Sequence, residues 1–535
     1  MVIAFLASVI LSLFATAVMS YISMAIPIGP WIAPTVVLLA LGIFRIFSSY
    51  RPAVITRYSV LATCAASIGG ITATGIGFSY PAIYFLSPNL FEQWLRQPLL
   101  FSSILTGLAA TAGALGIWFA HVLADQLIIR QQLAFPIGDL VYKMIAAHQS
   151  ARKSLELIGG FLATMVFCVL QDGIGAIKSV LPKSFTLIFA KKLGVLVIPA
   201  LQFHFWPLLW AIGFVTGHVI TLPLAVGAVA KIFVVDATNY VLFPTITNMD
   251  FVLAFCSGMV LAGTLQGFVG LPSALVQTVR SFFTTTKQRG VITTSFMRCR
   301  RLVLEGIIII GLVATYLWFM RFSLMAQSYL VLFTLIVSYQ LAIIAGKIGL
   351  APLGRFATFV MVPAMFLFNI DVVQIIIVAT FVEICGGVVA DALFGLKMAQ
   401  LGDISRDRLR RYQYLGLIIS ALSVGIIFWQ LIVHFNLGSA ELFAQKAQTR
   451  ALLINVQSFD VWVLAIGVIF GLLLKYIKLN PALVLSGILM PLHLSIGLIT
   501  GGLLTLLVNK KEEWYPLWSG IFAANSMWML LRTLW

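Results

Sequence analysis

The sequence predicts an all-α, polytopic membrane protein with about 16 transmembrane helices in two repeated halves of eight, because one span needs about 20 apolar residues. Three observations support this fold class. Of the 535 residues, 61% are hydrophobic and only 10% are charged, whereas soluble proteins carry about 25% charged residues. The mean hydropathy is +1.05. The apolar runs are continuous rather than alternating, which is typical of membrane-spanning helices and not of a β-barrel.

The apolar runs define the predicted spans in chain order. The first run lacks the basic start of a signal peptide, so we interpret it as a span. The predicted spans are Val2–Ile26, Trp31–Phe47, Val60–Phe85, Leu99–Leu123, Leu157–Leu181, Val195–Phe214, Val219–Leu242, Phe251–Ala274, Val303–Met320, Leu324–Ala345, Phe356–Phe368, Val372–Leu396, Tyr414–Phe435, Val461–Tyr476, Pro481–Leu507 and Leu517–Leu534.

The net charge of +17 comes from 34 Lys and Arg against 17 Asp and Glu. Three connectors between apolar runs hold clusters of these cations, and the positive-inside rule places such connectors in the cytoplasm. Even numbers of spans separate these connectors, so both termini are predicted to be cytoplasmic. Because the membrane explains the cations, we expect no nucleic-acid partner. Four lysines fall on the opposite side in this count, which leaves a miscounted or re-entrant segment open: Lys178, Lys183, Lys191 and Lys192.

Two short matches indicate an internal repeat. Residues 221–224 (TLPL) resemble residues 489–492 (LMPL), 268 positions later, and the glycines and proline of residues 75–81 resemble those of residues 346–352, 271 positions later. The predicted domains are residues 1–280 and 302–535, with a basic cytoplasmic connector at 281–301. Such repeats are typical of secondary transporters. The sequence leaves open whether the repeat is inverted or parallel.

Enzyme motifs are absent from the sequence. The five cysteines form no CxxC pair, and no zinc-protease, serine-hydrolase or nucleotide-binding motif occurs. We therefore expect no disulfide, no metal site, no cofactor and no enzyme activity.

Two carboxylates lie inside one predicted span. Glu383 is 12 residues after Asp371 and 14 before Lys397, which places it about 18–21 Å from either charged end. Ionisable groups at that depth are costly and are functional candidates by default. We predict Glu383 and, eight residues later, Asp391 as proton-coupling residues. The alternatives are a neutral, hydrogen-bonded Glu383 and a salt bridge from Asp391 to Lys397 or a nearby arginine.

Cationic or titratable residues beside glycine or proline are predicted to bind substrate. Interrupted helices are typical of transporter sites, and the residues in this setting are Lys347 beside Gly346, His218 before Pro223, and His493 after Pro491. Pro223 and Pro491 are predicted gating residues. A snorkelling lysine and histidines bonded inside the bundle are the alternatives. His204 is interpreted as an interfacial or packing residue.

Four segments resemble motifs of the oligopeptide transporter (OPT) family, in the order in which that family has them. They are residues 70–82 (GITATGIGFSYPA), 131–138 (QQLAFPIG), 346–354 (GKIGLAPLG) and 390–397 (ADALFGLK). The resemblance implies about 16 spans and proton-coupled uptake of oligopeptides or of metal chelates such as nicotianamine and siderophore complexes.

The resemblance also implies site residues. The candidates for substrate binding are Tyr80, Phe135 and Asp139, and those for structure or gating are Pro136, Gly138, Gly349, Pro352 and Lys397. The chain departs from the family motifs at four places: Ala134 replaces a proline, Ile137-Gly138-Asp139 replaces Ser-Gly-Thr, Gly395 replaces an aspartate, and Met398-Ala399 replaces Thr-Gly. These departures indicate a substrate different from those of characterised members.

The sequence therefore predicts a secondary transporter in the inner membrane of a bacterium, which takes up a peptide or peptide-like metal chelate together with protons. Its predicted partners are that substrate, protons and the lipid bilayer. The alternatives are an exporter or carrier of a non-peptide solute, an integral-membrane enzyme acting on a lipid-linked substrate, and a non-transporting assembly subunit.

Overall fold

The computed structural model describes residues 2–25, 32–46, 52–146, 151–173, 179–188, 191–193, 196–198, 201–259, 262, 295–348, 351–439, 441–455, 460–479, 481–490, 492–508 and 511–532. Nine helices in this part of the chain are long and apolar enough to cross a membrane. The polytopic α-helical fold class is therefore confirmed, while the total of 16 spans stays a prediction.

The first half of the chain contains twelve helices and four short strands within the described ranges. They are α1 (Val2–Ala25), α2 (Ala33–Ile46), α3 (Pro52–Ser79), α4 (Ala82–Leu86), α5 (Pro88–Leu95), α6 (Pro98–Ala124, continued as a π-helix over Asp125–Arg130), α7 (Pro136–Ala146), α8 (Ala151–Asp172), β1 (Ser184–Ile188), β2 (Lys191–Leu193), β3 (Leu196–Ile198), β4 (Leu201–His204), α9 (Pro207–Thr216), α10 (His218–Ala230, continued as a π-helix over Lys231–Val235), α11 (Asp236–Leu242) and α12 (248–259).

The second half is helical throughout the described ranges. Its helices are α13 (Ser295–Phe319), α14 (Leu324–Ile348), α15 (Leu353–Leu367), α16 (Val372–Leu401), α17 (Arg406–Phe435), α18 (Gln445–Ile454), α19 (Val461–Tyr476), α20 (Pro481–Leu489), α21 (Leu492–Leu504, followed by a 3-10 turn) and α22 (Lys511–Arg532).

The predicted span Val195–Phe214 is wrong. Strand β1 pairs antiparallel with β4 and β2 with β3, and a helix begins only at Pro207. β-branched and aromatic residues before Pro207 favour extended backbone, and proline suits the first turn of a helix. This is the region whose lysines contradicted the simple span count, and the strands support a miscounted segment there.

The chain forms two compact units, and each takes segments from both predicted halves. Unit 1 comprises Met1–Ser23, Trp31–Ser150 and Gly267–His434. Unit 2 comprises Met24–Pro30, Ala151–Gln266 and Phe435–Trp535.

Unit 1 is built around α16. This helix starts with a capping box, in which the Asp371 side chain accepts from the Gln374 backbone N–H and the Gln374 side chain accepts from the Asp371 backbone N–H. It then packs against α3, α6, α14 and α15, and it is buried continuously from Gln374 to Leu396. A helix that is apolar on all sides belongs in a protein interior, so α16 is the core of the unit.

Unit 2 is built from helix pairs that touch through glycine. A Cβ on Gly213 of α9 would lie 3.0 Å from the Cα of Gly501 on α21, and a Cβ on Gly227 of α10 would lie 3.0 Å from the Cα of Gly487 on α20. Helix α12 meets α19 in the same way, through Gly258 and Gly467. Small residues at such positions let two backbones approach closely.

These glycine pairs bear on the internal repeat. Gly487 lies 274 residues after Gly213, and Gly501 lies 274 residues after Gly227. Because the earlier glycine of one segment meets the later glycine of the other, the segment α9–α10 runs antiparallel to α20–α21. Equivalent segments that run in opposite directions are the arrangement that an inverted repeat produces.

Candidate functional site

Both predicted coupling carboxylates lie deep in unit 1, on α16. Glu383 is 1% exposed and Asp391 is 4% exposed. The hydroxyl of Ser67, on α3, donates a hydrogen bond of 2.6 Å to Oδ2 of Asp391. Eight residues of helix separate the carboxylates by about 12 Å along the axis. The predicted salt bridge from Asp391 to Lys397 is not formed between these described residues, and a neutral hydroxyl takes that place.

Neighbouring helices pack closely against α16 beside Glu383. A Cβ on Gly75 of α3 would lie 2.8 Å from the backbone nitrogen of Ile384, and a Cβ on Gly116 of α6 would lie 2.8 Å from the carbonyl oxygen of Cys385. Two neighbouring helices therefore press on α16 within two residues of Glu383. This packing fixes the backbone that carries Glu383.

A buried pair of polar side chains, Gln413 and His121, meets α16 at the residue that follows Asp391. The side chain of Gln413, on α17, donates to the carbonyl oxygen of Ala392 at 3.1 Å and bonds Nε2 of His121, on α6, at 2.8 Å. Gln413 is 0% exposed and His121 is 9% exposed. The sequence analysis missed both residues, although a polar side chain inside an apolar run is a signal that it could have used.

Ion pairs lie where α6 ends and α17 begins. Arg406 pairs with Asp125, and Arg410 pairs with Glu305 of α13 at 2.8 Å. The hydroxyl of Tyr414 donates to the same Glu305 carboxylate at 2.6 Å. These groups are more exposed than His121 and Gln413, so polarity along α6 and α17 increases from the interior towards the helix ends.

Three of the four motif segments meet in unit 1. The backbone N–H of Phe135 donates to the carbonyl oxygen of Gly346 at 2.8 Å, and its ring contacts Phe394 edge-on at 6.0 Å. A Cβ on Gly138 would lie 2.7 Å from the carbonyl oxygen of Phe394 and 3.3 Å from Cβ of Lys397. Because the two backbones approach so closely, position 138 has no room for a side chain. We refer to Phe135, Gly138, Gly346, Phe394 and Lys397 as the motif junction.

The other predicted residues around the junction have different positions. Pro136 starts α7, Asp139 lies in its first turn, and Pro352 precedes α15. Lys347 lies on α14, but its side chain is outside the described part, as is all of Gly349.

Tyr80 is buried in an aromatic cluster. Its ring centroid is 6.4 Å from that of Phe91, 6.5 Å from that of Trp94 and 5.8 Å from that of Phe101. In this conformation the side chain belongs to the core, and substrate contact by Tyr80 stays a prediction.

In unit 2 the structure brings together two histidines. The rings of His204 and His493 stack with centroids 4.3 Å apart and planes 25° apart. His204, which we had interpreted as a packing residue, thereby joins the predicted site of His493. His218 is exposed at the start of α10.

The sequence predicts helices that are interrupted at Pro223 and Pro491, and the structure differs at the first of these prolines. Helix α10 continues through Pro223, and the break lies before it, at Gly217, whose φ is 73°. Only glycine adopts such a backbone readily. Pro491 lies outside the described residues, between the end of α20 and the start of α21.

No cluster of three His, Cys, Asp or Glu side chains suited to a metal ion occurs in the part of the chain that the structure describes. In unit 1, Asp391 and His121 instead form hydrogen bonds with the hydroxyl of Ser67 and the amide of Gln413, respectively.

Buried carboxylates on a central membrane helix, together with an antiparallel pair of interrupted helices, are characteristic of the transporter class. Residues 297–525, from the first turn of α13 to within α22, match the family described as OPT oligopeptide transporter protein. An OPT family domain is therefore found over residues 297–525, which is less than half of the chain, and it includes two of the four motif segments, 346–354 and 390–397. The long apolar helices make the protein an integral, multi-pass membrane protein. No curated protein matches the chain.

Proposed function

We propose that the protein is a proton-coupled symporter that takes up oligopeptides or peptide-like metal chelates of the siderophore type. The observation that supports this most is Asp391, a carboxyl group buried on the central helix of unit 1 and held by a hydroxyl. An ionisable group in that position marks a proton or ion pathway by default.

Asp391 is the better of the two coupling candidates. Ser67 is a neutral donor, so it orients the carboxyl without supplying the positive charge that a permanently ionised aspartate would need in the core. A proton can therefore neutralise Asp391 during the transport cycle. Glu383 lies where the backbones of two neighbouring helices pack closely against α16, and we assign it a secondary role in coupling.

Each unit contains residues that are proposed to bind substrate. In unit 2, His493 lies in the first turn of α21, where backbone N–H groups and the helix dipole favour a carboxylate. His204 extends that surface through the stacked ring. In unit 1, Lys347, Tyr80, Phe135 and Asp139 remain proposed contacts. Such groups suit the termini of a peptide or the carboxylates of a chelate.

The proposed location is the inner membrane of a bacterium, with both termini in the cytoplasm. The positive-inside rule supports a cytoplasmic placement of the three basic connectors, each of which holds a cluster of Lys and Arg.

Uptake by purified protein in proteoliposomes tests the proposal. The vesicles receive a mixed tripeptide pool, with and without ferric or zinc chelates, under an imposed pH gradient of either direction, and mass spectrometry detects what accumulates. We expect at least one peptide or chelate to accumulate only when the gradient is present. Accumulation that ignores the gradient would contradict proton coupling, and no accumulation of any peptide or chelate would contradict the substrate class.

A further inference from the structure

We propose that His121 is a second proton-binding residue, which passes the proton between Asp391 and the charged ends of α6 and α17, and that Gln413 positions it. This inference rests on the proposed function, since it assigns a route to the proton that Asp391 is proposed to bind. Neither residue belongs to a motif segment, and both were found from the contacts of the fold.

The first step is the orientation of the Gln413 amide. Its nitrogen donates to the carbonyl oxygen of Ala392, so its oxygen faces His121. An amide oxygen can only accept a hydrogen bond. His121 must therefore carry its hydrogen on Nε2, which leaves the lone pair on Nδ1 as the position that can bind a further proton.

The second step is the close packing of α16 against α17 beside Asp391. Gly395 lies one turn after Asp391 on α16, and a Cβ there would lie 3.0 Å from the Sγ of Cys64 and 3.0 Å from Nε2 of Gln413. Helices α3, α16 and α17 therefore pack closely at this level. The Gln413 side chain joins His121 to the backbone of α16 one residue after Asp391.

The third step is the continuation to the helix ends. Asp125 follows His121 by four residues and Arg410 precedes Gln413 by three, so each pair shares a helix face. Arg410 is held by Glu305, and Asp125 is 57% exposed and paired with Arg406. Polar groups therefore line one seam from the buried carboxyl to solvent.

The proton transfer itself is simple to write. The O–H bond of the Asp391 carboxyl breaks and an N–H bond forms at Nδ1 of His121, as Gln413 rotates aside and the imidazole ring turns Nδ1 towards Asp391. The imidazolium then turns back and releases the proton to water at the Asp125–Arg406 end. Uptake of a proton is the reverse. The titratable and charged groups around this seam are Cys64 on α3, Asp125 after α6, Glu305 on α13, Asp391 on α16, and Arg406, Asp407, Arg410 and Tyr414 on α17.

Time-resolved infrared spectroscopy of the full-length protein in lipid tests the route without requiring a substrate. The C=O band of protonated Asp391 is assigned by its disappearance in Asp391→Asn, and its shift after a jump into D2O gives the rate of proton exchange. His121→Gln keeps an N–H donor for Gln413 but binds no proton. We expect it to slow the exchange by about tenfold or more at an unchanged melting temperature.

Two further variants make the result specific. Gln413→Glu keeps an acceptor for His121 and adds a titratable group, so we expect exchange at least as fast as in the wild type. Thr111→Val removes another hydroxyl from α6 and should leave the rate unchanged. A wild-type rate in His121→Gln, or a slower rate in Gln413→Glu, would overturn the route. If Asp391→Asn removed no band, the coupling role of Asp391 would itself be wrong, and the route with it.

Discussion

Both units pack helices closely through glycine, but they place their polar residues differently. In unit 1, polar side chains from α3, α6 and α17 converge on one buried helix, with Asp391, Ser67, Gln413 and His121 among them. In unit 2, helices meet backbone to backbone through paired glycines, and the titratable residues lie near helix starts and strand ends. The contrast teaches that buried hydrogen bonds add to close helix packing in the core of unit 1, whereas paired glycines join the helices of unit 2.

The largest effect should come from removing the carboxyl at the centre of unit 1. Asp391→Asn keeps the size and the bond from Ser67 but cannot gain and lose a proton, so we expect gradient-driven uptake to fall by about 100-fold or more. Initial uptake rates in proteoliposomes measure this.

The matched control for that variant is Thr380→Val on the same helix. The Thr380 hydroxyl bonds only the carbonyl oxygen of Ile376 among the contacts described, and uptake should stay within about twofold of the wild type. Equal losses in both variants would show that α16 tolerates no change, and that Asp391 has no special role.

Adding a side chain at a close helix contact should lower the stability of unit 2. A Cβ on Gly160 of α8 would collide with the carbonyl oxygen of Leu517 on α22, whereas a Cβ on Gly159 meets no atom within 4 Å. We expect Gly160→Val to lower the free energy of unfolding by about 1–3 kcal/mol and Gly159→Val to leave it within about 0.5 kcal/mol. Melting in detergent reports both, and equal melting temperatures would refute the close helix contact.

A smaller effect is expected at the start of α16. Asp371→Ala removes the side chain that accepts from the Gln374 backbone N–H, and should cost about 1 kcal/mol of stability. Asp371→Asn keeps an acceptor and should cost less. If alanine and asparagine behaved alike in chemical unfolding, the capping box would not stabilise this helix.

The smallest effect concerns the histidine pair of unit 2. Burial lowers the pKa of His204, so the unfolded chain binds a proton more readily near pH 6. Stability from this residue is therefore full above about pH 6.5 and decreases as the pH falls below that value. Melting temperatures between about pH 5 and pH 8 should depend less on pH in His204→Gln than in the wild type. An identical pH dependence would show that His204 titrates as it does in the unfolded chain.

Much of unit 1 could be predicted from the sequence because its elements are long apolar runs. The predicted span Val372–Leu396 corresponds to α16, with Asp371 at its start, and the depth of Glu383 and Asp391 follows from counting along the helix. The partners of Asp391 could not be predicted, because Ser67 is 324 residues away in sequence and only the fold brings it near.

The strands and the helix break of unit 2 could not be predicted, for a different reason. The strands around His204 have the same apolar composition as a membrane helix, so hydropathy alone assigned a span there. The break between α9 and α10 occurs at Gly217 rather than at Pro223, because the positive φ of the glycine ends one helix. Helix α10 continues through Pro223 although proline cannot donate a backbone hydrogen bond. The histidine pair depends on that fold and was therefore not visible in the sequence.

Proton movement that accompanies substrate tests the central assignment most directly. Vesicles that contain the protein and a trapped pH-sensitive dye receive the peptide or chelate that accumulates in the wild type, at equal pH on both sides. We predict that wild-type vesicles acidify when that compound is added, and that Asp391→Asn vesicles exchange labelled compound across the membrane without acidifying. Acidification by Asp391→Asn equal to that of the wild type would contradict the role of Asp391 as the coupling carboxyl.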